Sequence, residues 1–230
     1  MIGRMKYPGG KGKTYQHLVN LMPPHIVYIE THLGGGAVMR HKRPAAHNIG
    51  IDLDERVIDA WKAMENSSVE LVHGKAEDFL RRYSFTGSEL VYCDPPYHPA
   101  TRRQQRVYRH DYSERDHVEL LELLVTLPCR VLLSGYAHPM YDAMLTGWNR
   151  RQFMAATQNG TREETLWFNF EPPTKLHDAR YLGSSFRERQ SRKRRLQRLQ
   201  MKVKSMEPTE RNAFMQWMSE QYPLQTAGVF

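Results

Sequence analysis

From Val27 to Phe170 the chain alternates short apolar runs with stretches of helical period. Val27-Tyr28-Ile29, Asn48-Ile49-Gly50-Ile51, Leu71-Val72-His73, Leu90-Val91-Tyr92-Cys93 and Arg130 to Ser134 read as strands. Between them Asp54 caps a helix through Val57, Ile58 and Trp61, and Ser113 with Asp116 makes a capping arrangement ahead of the stripe Val118, Leu120, Leu121, Leu123 and Leu124. Strands alternating with helices predict an α/β fold with a doubly wound, mainly parallel sheet. Arg151 to Ala156 and Thr165 to Phe170, separated by Asn159-Gly160-Thr161, read as an antiparallel hairpin at the sheet edge. After Gly183 the pattern is helical only. Leu196, Leu199 and Val203 form a seam on one helix, and Pro208-Thr209 opens a second carrying Phe214, Trp217 and Met218. This division predicts an α/β domain over residues 1–182 and a helical C-terminal extension over 183–230.

Charge sharpens that division. Of 33 basic and 25 acidic residues, ten and one lie between Arg180 and Lys204, which leaves a nearly balanced 23 and 24 elsewhere. The net +8 is therefore local. A concentrated patch neutralises phosphates and releases counterions, so nucleic acid is the expected partner and a merely solvated basic helix the alternative. With 230 residues and 40% hydrophobic content the chain suits one sizeable α/β domain plus an appendage. Cys93 and Cys129 are too few for a disulfide framework or a four-cysteine zinc site, and His41, His47, His98 and His110 lack ligand spacing, so no metal is expected. No long apolar segment or secretion signal is present, so a cytoplasmic protein without membrane contact is expected.

Candidate chemistry lies at Asp94-Pro95-Pro96-Tyr97, directly after the apolar run ending in Cys93. In an open α/β sheet ligands bind beyond the carboxyl ends of the strands, which places Asp94 at a crevice. The two prolines remove backbone donors and leave the Pro95 carbonyl free to accept. A carboxylate oxygen plus a carbonyl suit the two N–H donors of an amino group, and Tyr97 can stack on the ring that bears it. Earlier in the chain, Gly34-Gly35-Gly36 permits close approach of a ligand to the backbone ahead of a helix N-terminus. Asp52, ending the second strand, is placed to accept from ribose hydroxyls. Spacing alone leaves a dinucleotide open, although the loop lacks the Gly-x-Gly-x-x-Gly pattern.

Lys6-Tyr7-Pro8-Gly9-Gly10-Lys11, Tyr28 to Val38, Ile49 to Asp52 and Asp94 to Tyr97 occur in one order, followed by Ser113 to His117, Leu133 to Tyr136 and Glu164 to Asn169. In this order the chain resembles the Dam-type DNA N6-adenine methyltransferases over roughly residues 5–170. The resemblance implies a class I S-adenosylmethionine-dependent methyltransferase fold. It implies Asp94, Pro95, Pro96 and Tyr97 as catalytic residues, and Tyr7, Gly10, Lys11, Glu30, His32, Leu33, Gly34, Gly36, Asp52, Leu53 and Asp94 as the S-adenosylmethionine site. Two positions depart from the family: Glu30-Thr31-His32 replaces Glu-Pro-Phe, putting a titratable ring where an aromatic wall is usual, and Gly74-Lys75 replaces Gly-Asp, with Glu77 and Asp78 nearby.

The long target-recognition insert of narrowly specific relatives is missing, since only Phe79 to Glu89 separates the third-strand motif from Asp94. Arg102, Arg103, Arg106 and Arg109 in the following loop, with Arg187, Arg192, Lys193, Arg194, Arg195 and Arg198 near the C-terminus, are the candidate DNA contacts. Short or relaxed sequence specificity is expected, on a flipped adenine. Methylation of cytosine N4 or of an RNA base, and a DNA-binding protein that has lost catalysis, remain the alternatives. Monomer and homodimer are both open, as is the biological use, with restriction protection one candidate.

Overall fold

The computed structural model describes residues 11–12, 14–64, 68–102, 109–157 and 160–223. The chain divides into two compact units, Met1–Asp178 and Ala179–Phe230. The first holds a seven-stranded sheet built from β1 (Val27–Glu30), β2 (His47–Asp52), β3 (Glu70–His73), β4 (Glu89–Cys93), β5 (Arg130–Gly135), β6 (Asn149–Thr157) and β7 (Gly160–Phe168), in the order β3-β2-β1-β4-β5-β7-β6. The first five strands pair in parallel, while β7 runs antiparallel to both β5 and β6. The expected doubly wound sheet with an antiparallel edge hairpin is therefore present.

Helix α1 (Tyr15–Val19) precedes β1, and α2 (Ala37–His41), α3 (Glu55–Lys62), α4 (Ala76–Arg82), α5 (Glu114–Thr126) and α6 (Pro139–Met144) connect the strands. Asp54 caps α3 by accepting from Arg56 N–H, and α3 then turns Val57, Ile58 and Trp61 into the core. Ser113 and Asp116 form a reciprocal capping box on α5, whose Leu120, Leu121 and Leu124 are fully buried. They pack with Ile29, Val91, Val131 and Leu133 of the sheet, each such side chain contributing about 1.5–3 kcal/mol. The helices α1 and α6 exceed the sequence expectation; at five and six residues they are shorter than a periodicity window.

Strand order fixes where a ligand can enter. The chain runs from β1 outward to β2 and β3, then returns to β4 on the other side of β1. The carboxyl ends of β1 and β4 therefore flank the switch-point crevice. They carry the glycine turn and Asp94, respectively.

The second unit contains α7 (Phe186–Lys204) and α8 (Pro208–Gln221). Ser185 caps α7 by accepting from Glu188 N–H at 3.1 Å, and Pro208 occupies the first turn of α8 behind the Glu207 cap. The expected seam is only partly covered: Leu196 and Leu199 are 42% and 55% exposed, whereas Val203 is half-buried. Among the described residues no helix is long and apolar enough to cross a membrane.

Candidate active site

β4 delivers Asp94 to the crevice, where its carboxylate is held from one side. Asp94 Oδ1 accepts from Lys11 Nζ and from Ser134 Oγ, both at 2.7 Å. Ser134, near the end of β5, is in turn 3.0 Å from the Tyr92 hydroxyl. Among the described residues Asp94 Oδ2 and the Pro95 carbonyl have no hydrogen-bond partner. Two acceptors on successive residues therefore remain without a partner among the described residues.

Lys11 reaches a second carboxylate, Glu164 of β7, at 3.6 Å. Glu164 Oε1 accepts from the Tyr97 hydroxyl at 3.0 Å, while Oε2 is buried with no hydrogen-bond partner. Burial works against the Lys11 charge, yet Asp94 and Glu164 hold its pKa well above the usual lysine value. Burial likewise raises the Glu164 carboxyl, with Lys11 opposing. The Tyr97 ring stacks on Tyr136 at 4.0 Å between centroids and 19° between planes, and the Arg162 guanidinium lies 3.8 Å over the other ring of that pair. One face of Tyr97 is therefore covered by Tyr136, and the Lys11 ammonium lies 5.5 Å from the Tyr97 ring centroid.

The glycine turn after β1 is shaped by packing as well as by its ligand-facing position. Gly34 and Gly36 adopt φ of +44° and +54°. A Cβ on Gly36 would lie 2.0 Å from Trp61 Cζ2, and Trp61 Nε1 donates to the Gly34 carbonyl at 3.0 Å. Asp52 at the end of β2 accepts from Gly34 N–H at 2.7 Å and Asp54 N–H at 2.9 Å, which orients its carboxylate toward the turn. Leu33 is buried against Gly50, and Leu53 follows Asp52 half-buried. Glu30 turns inward instead: its carboxylate accepts from the Tyr28 hydroxyl and from Met39 N–H, both at 3.0 Å, in the first turn of α2. Burial pushes its pKa up to about 8. Glu30 thus caps α2 from within and takes one of the N–H groups expected to be free for a ligand.

His32, in place of the usual aromatic wall, sits in a chain of hydrogen bonds. Its Nδ1 is 2.8 Å from Thr31 Oγ1 and its Nε2 2.9 Å from the Tyr112 hydroxyl, which donates onward to Glu77 at 2.7 Å. Burial lowers its pKa to about 3, so the ring stays neutral near pH 7 and the expected titratable wall is silent there. Glu77 is buried on Tyr112, whereas Asp78 is exposed in the first turn of α4.

The DNA candidates divide. Arg102 is spent inside the protein: it pairs with Asp111 at 2.6 Å and donates to the Tyr97 and Tyr112 carbonyls, with its side chain 4% exposed. Arg109 pairs with Asp54 at 3.3 Å. Arg102 thus ties Asp111 and Tyr112 to Tyr97, a role that geometry reveals and composition does not. Arg187, Lys193, Arg194, Arg195 and Arg198 are exposed on α7, and Arg192 pairs with Glu188 one turn earlier at 2.5 Å. Tyr7, Gly10, Arg103 and Arg106 lie outside the described residues. Ser134, Tyr136 and Glu164 stand in segments that resemble the family, but only the fold brings them to Asp94 and Tyr97. Among the described residues no group of three or more His, Cys, Asp or Glu side chains is arranged to hold a metal.

A parallel sheet entered at the β1/β4 switch point, closed by a β7 antiparallel between β5 and β6, with an acidic β2 end and a glycine turn, defines the class I S-adenosylmethionine-dependent methyltransferase fold. Within it, residues 63–146 match the family model of D12 class N6 adenine-specific DNA methyltransferases. That segment contains Asp94 to Tyr97 as well as Ser134 and Tyr136. No curated protein sequence matches the chain. Solved structures similar to it include the O-methyltransferase TomG from Streptomyces achromogenes, involved in tomaymycin synthesis and in complex with SAM (15% identity over 71% of this chain and 81% of that one, TM-score 0.47). An rRNA methylase from Streptococcus thermophilus is similar at 10% identity over 67% of this chain and 92% of that one, TM-score 0.46. A precorrin 8W decarboxylase from Methanobacterium thermoautotrophicum is similar at 12% identity over 70% and 92%, TM-score 0.44.

Proposed function

We propose that the protein methylates the exocyclic N6 amine of adenine in DNA, using S-adenosylmethionine. The observation that carries this reading is the half-used Asp94: one oxygen is fixed by Lys11 and Ser134, and the other, like the carbonyl of the following Pro95, has no hydrogen-bond partner among the described residues. Two neighbouring acceptors match the two N–H donors of an aromatic amine and aim its lone pair out of the acceptor pair.

The donor set of the crevice fits the cofactor. Each oxygen of Asp52 has a lone pair beyond the backbone N–H it accepts, so the two can take vicinal ribose hydroxyls. When bound, S-adenosylmethionine supplies an electrophilic methyl group, its C–S electron pair remaining on sulfur as the N6 lone pair forms the new bond. Asp94 Oδ2 holds the amine beforehand and receives the N6 proton that becomes acidic as that bond forms. Tyr97 stacks on the base, which leaves a duplex at a cost of about a few kcal/mol. With the acceptors and ring already oriented, most of the rate enhancement is positioning.

The exposed cations of α7 are the proposed phosphate contacts, and the lack of a long insert supports short or relaxed specificity. The test is tritium transfer from labelled S-adenosylmethionine to unmethylated duplex DNA, single-stranded DNA and RNA of one sequence, with modified positions mapped by sequencing. Label on adenine in DNA at short, varied sites is expected. Label confined to RNA or to cytosine, or one long invariant motif, would refute the corresponding part.

A further inference from the structure

Glu164, like Asp94, has a carboxylate with only one oxygen hydrogen-bonded among the described residues. It is 4% exposed, Oε1 holds the Tyr97 hydroxyl, and Oε2 is a buried oxygen without a hydrogen-bond donor. Its nearest cation is Lys11, whose ammonium sits 2.7 Å from Asp94 Oδ1 and 3.6 Å from Glu164 Oε2. An ammonium has three donors and forms a charge-assisted bond at about 2.8 Å, so a shift of under about 1 Å would carry Lys11 from one carboxylate to the other. A buried acceptor with no donor is costly to keep, and a cation within reach of it is the simplest way to satisfy it.

We propose that Glu164 is a positioning residue that provides a second seat for the Lys11 ammonium, which leaves Asp94 for Glu164 when the target amine arrives. The inference deepens the proposed function and rests on it. In the free protein Lys11 holds Asp94 in place. As methyl transfer makes the amine cationic, an ammonium still hydrogen-bonded to Asp94 opposes the new charge and weakens Asp94 as proton acceptor. Docked on Glu164, Lys11 neutralises the second carboxylate and releases Asp94 for the amine. The Tyr97 hydroxyl stays on Oε1 throughout, so the stacking ring is not disturbed by the shift.

Glu164→Gln keeps an oxygen for Tyr97 and the side-chain shape but removes the charge that receives Lys11. Expected is a fall in kcat of at least about tenfold, with KM for S-adenosylmethionine within twofold of the parent protein. Tyr97→Phe removes only the Oε1 bond and should cost much less than Glu164→Gln. Equal losses in the two variants would mean that Glu164 acts merely by holding Tyr97, and would overturn the proposal. A crystal structure of the parent protein with an adenine-containing oligonucleotide and S-adenosylhomocysteine gives a readout independent of turnover. Lys11 should lie within about 3 Å of Glu164 Oε2 and no longer bond Asp94. Lys11 unmoved on Asp94 with adenine bound refutes the second seat while leaving the methyltransferase reading intact; a parent protein that methylates no nucleic acid removes the reading itself.

Discussion

Replacing Gly36 by alanine tests how the glycine turn is built, because the structure separates two costs there. The backbone φ of +54° is left-handed, which penalises a Cβ by about 1–2 kcal/mol. The added methyl would also lie 2.0 Å from Trp61 Cζ2 and 2.8 Å from Cη2, so the indole must move and its bond to the Gly34 carbonyl is strained. Overpacking of this kind costs about 1–3 kcal/mol, giving a total of about 2–5 kcal/mol. Gly147 is the control: φ is +83°, and nothing lies within 4 Å of its added Cβ, so Gly147→Ala carries the backbone cost alone. At about 2–4 °C per kcal/mol for a chain of this size, a loss of about 3 kcal/mol lowers Tm by roughly 6–12 °C. Thermal unfolding followed by tryptophan fluorescence should therefore place Gly36→Ala well below Gly147→Ala, and Trp61→Phe should recover part of the difference. Equal Tm losses for the two alanine variants would refute the packing account.

Ser134→Ala removes the hydroxyl that donates to Asp94 Oδ1 at 2.7 Å, a bond to a charged group worth about 1.5–3 kcal/mol; kcat should fall roughly 10–150-fold with cofactor affinity unchanged in steady-state kinetics, and an unaltered kcat would contradict the role. Burial lowers His25, His32 and His117 to about 3, so the unfolded chain binds more protons than the native state between about pH 3 and 6.5. Stability is therefore lost as pH falls through that window, by about 4 kcal/mol per pH unit near pH 5 from these three groups, and urea midpoints that stay level between pH 6.5 and 4.5 would contradict the burial. Converting Arg194, Arg195 and Arg198 of α7 to glutamine should weaken duplex binding and flatten its dependence on log salt by ~0.9 for each phosphate no longer neutralised; an unchanged slope in fluorescence anisotropy would remove α7 from the interface.

The parallel part of the sheet was readable because β1, β2, β4 and β5 carry compact apolar runs, and because Asp54 and Ser113 cap their helices locally. Local pattern cannot report pairing across the chain. Lys11 and Asp94 are 83 residues apart, and Tyr97 and Glu164 are 67 apart, so a lysine expected at the cofactor is found on Asp94 only once the fold is known. Charge type is silent for the same reason at Arg102: an arginine in a basic loop reads as a phosphate contact, and nothing local reports that Asp111 and two carbonyls hold it. Glu30 likewise ends β1 as the motif order implies, yet its carboxylate faces Tyr28 and α2.

The most direct test of the central claim is nucleoside mass spectrometry of unmethylated duplex DNA incubated with S-adenosylmethionine and either the parent protein or Asp94→Ala. Asp94, with Oδ1 fixed and Oδ2 left to hold the amine, predicts N6-methyladenine with the parent protein and none with the variant. N6-methyladenine formed equally by both proteins, or no modified adenine from a parent protein that binds the cofactor, would contradict it.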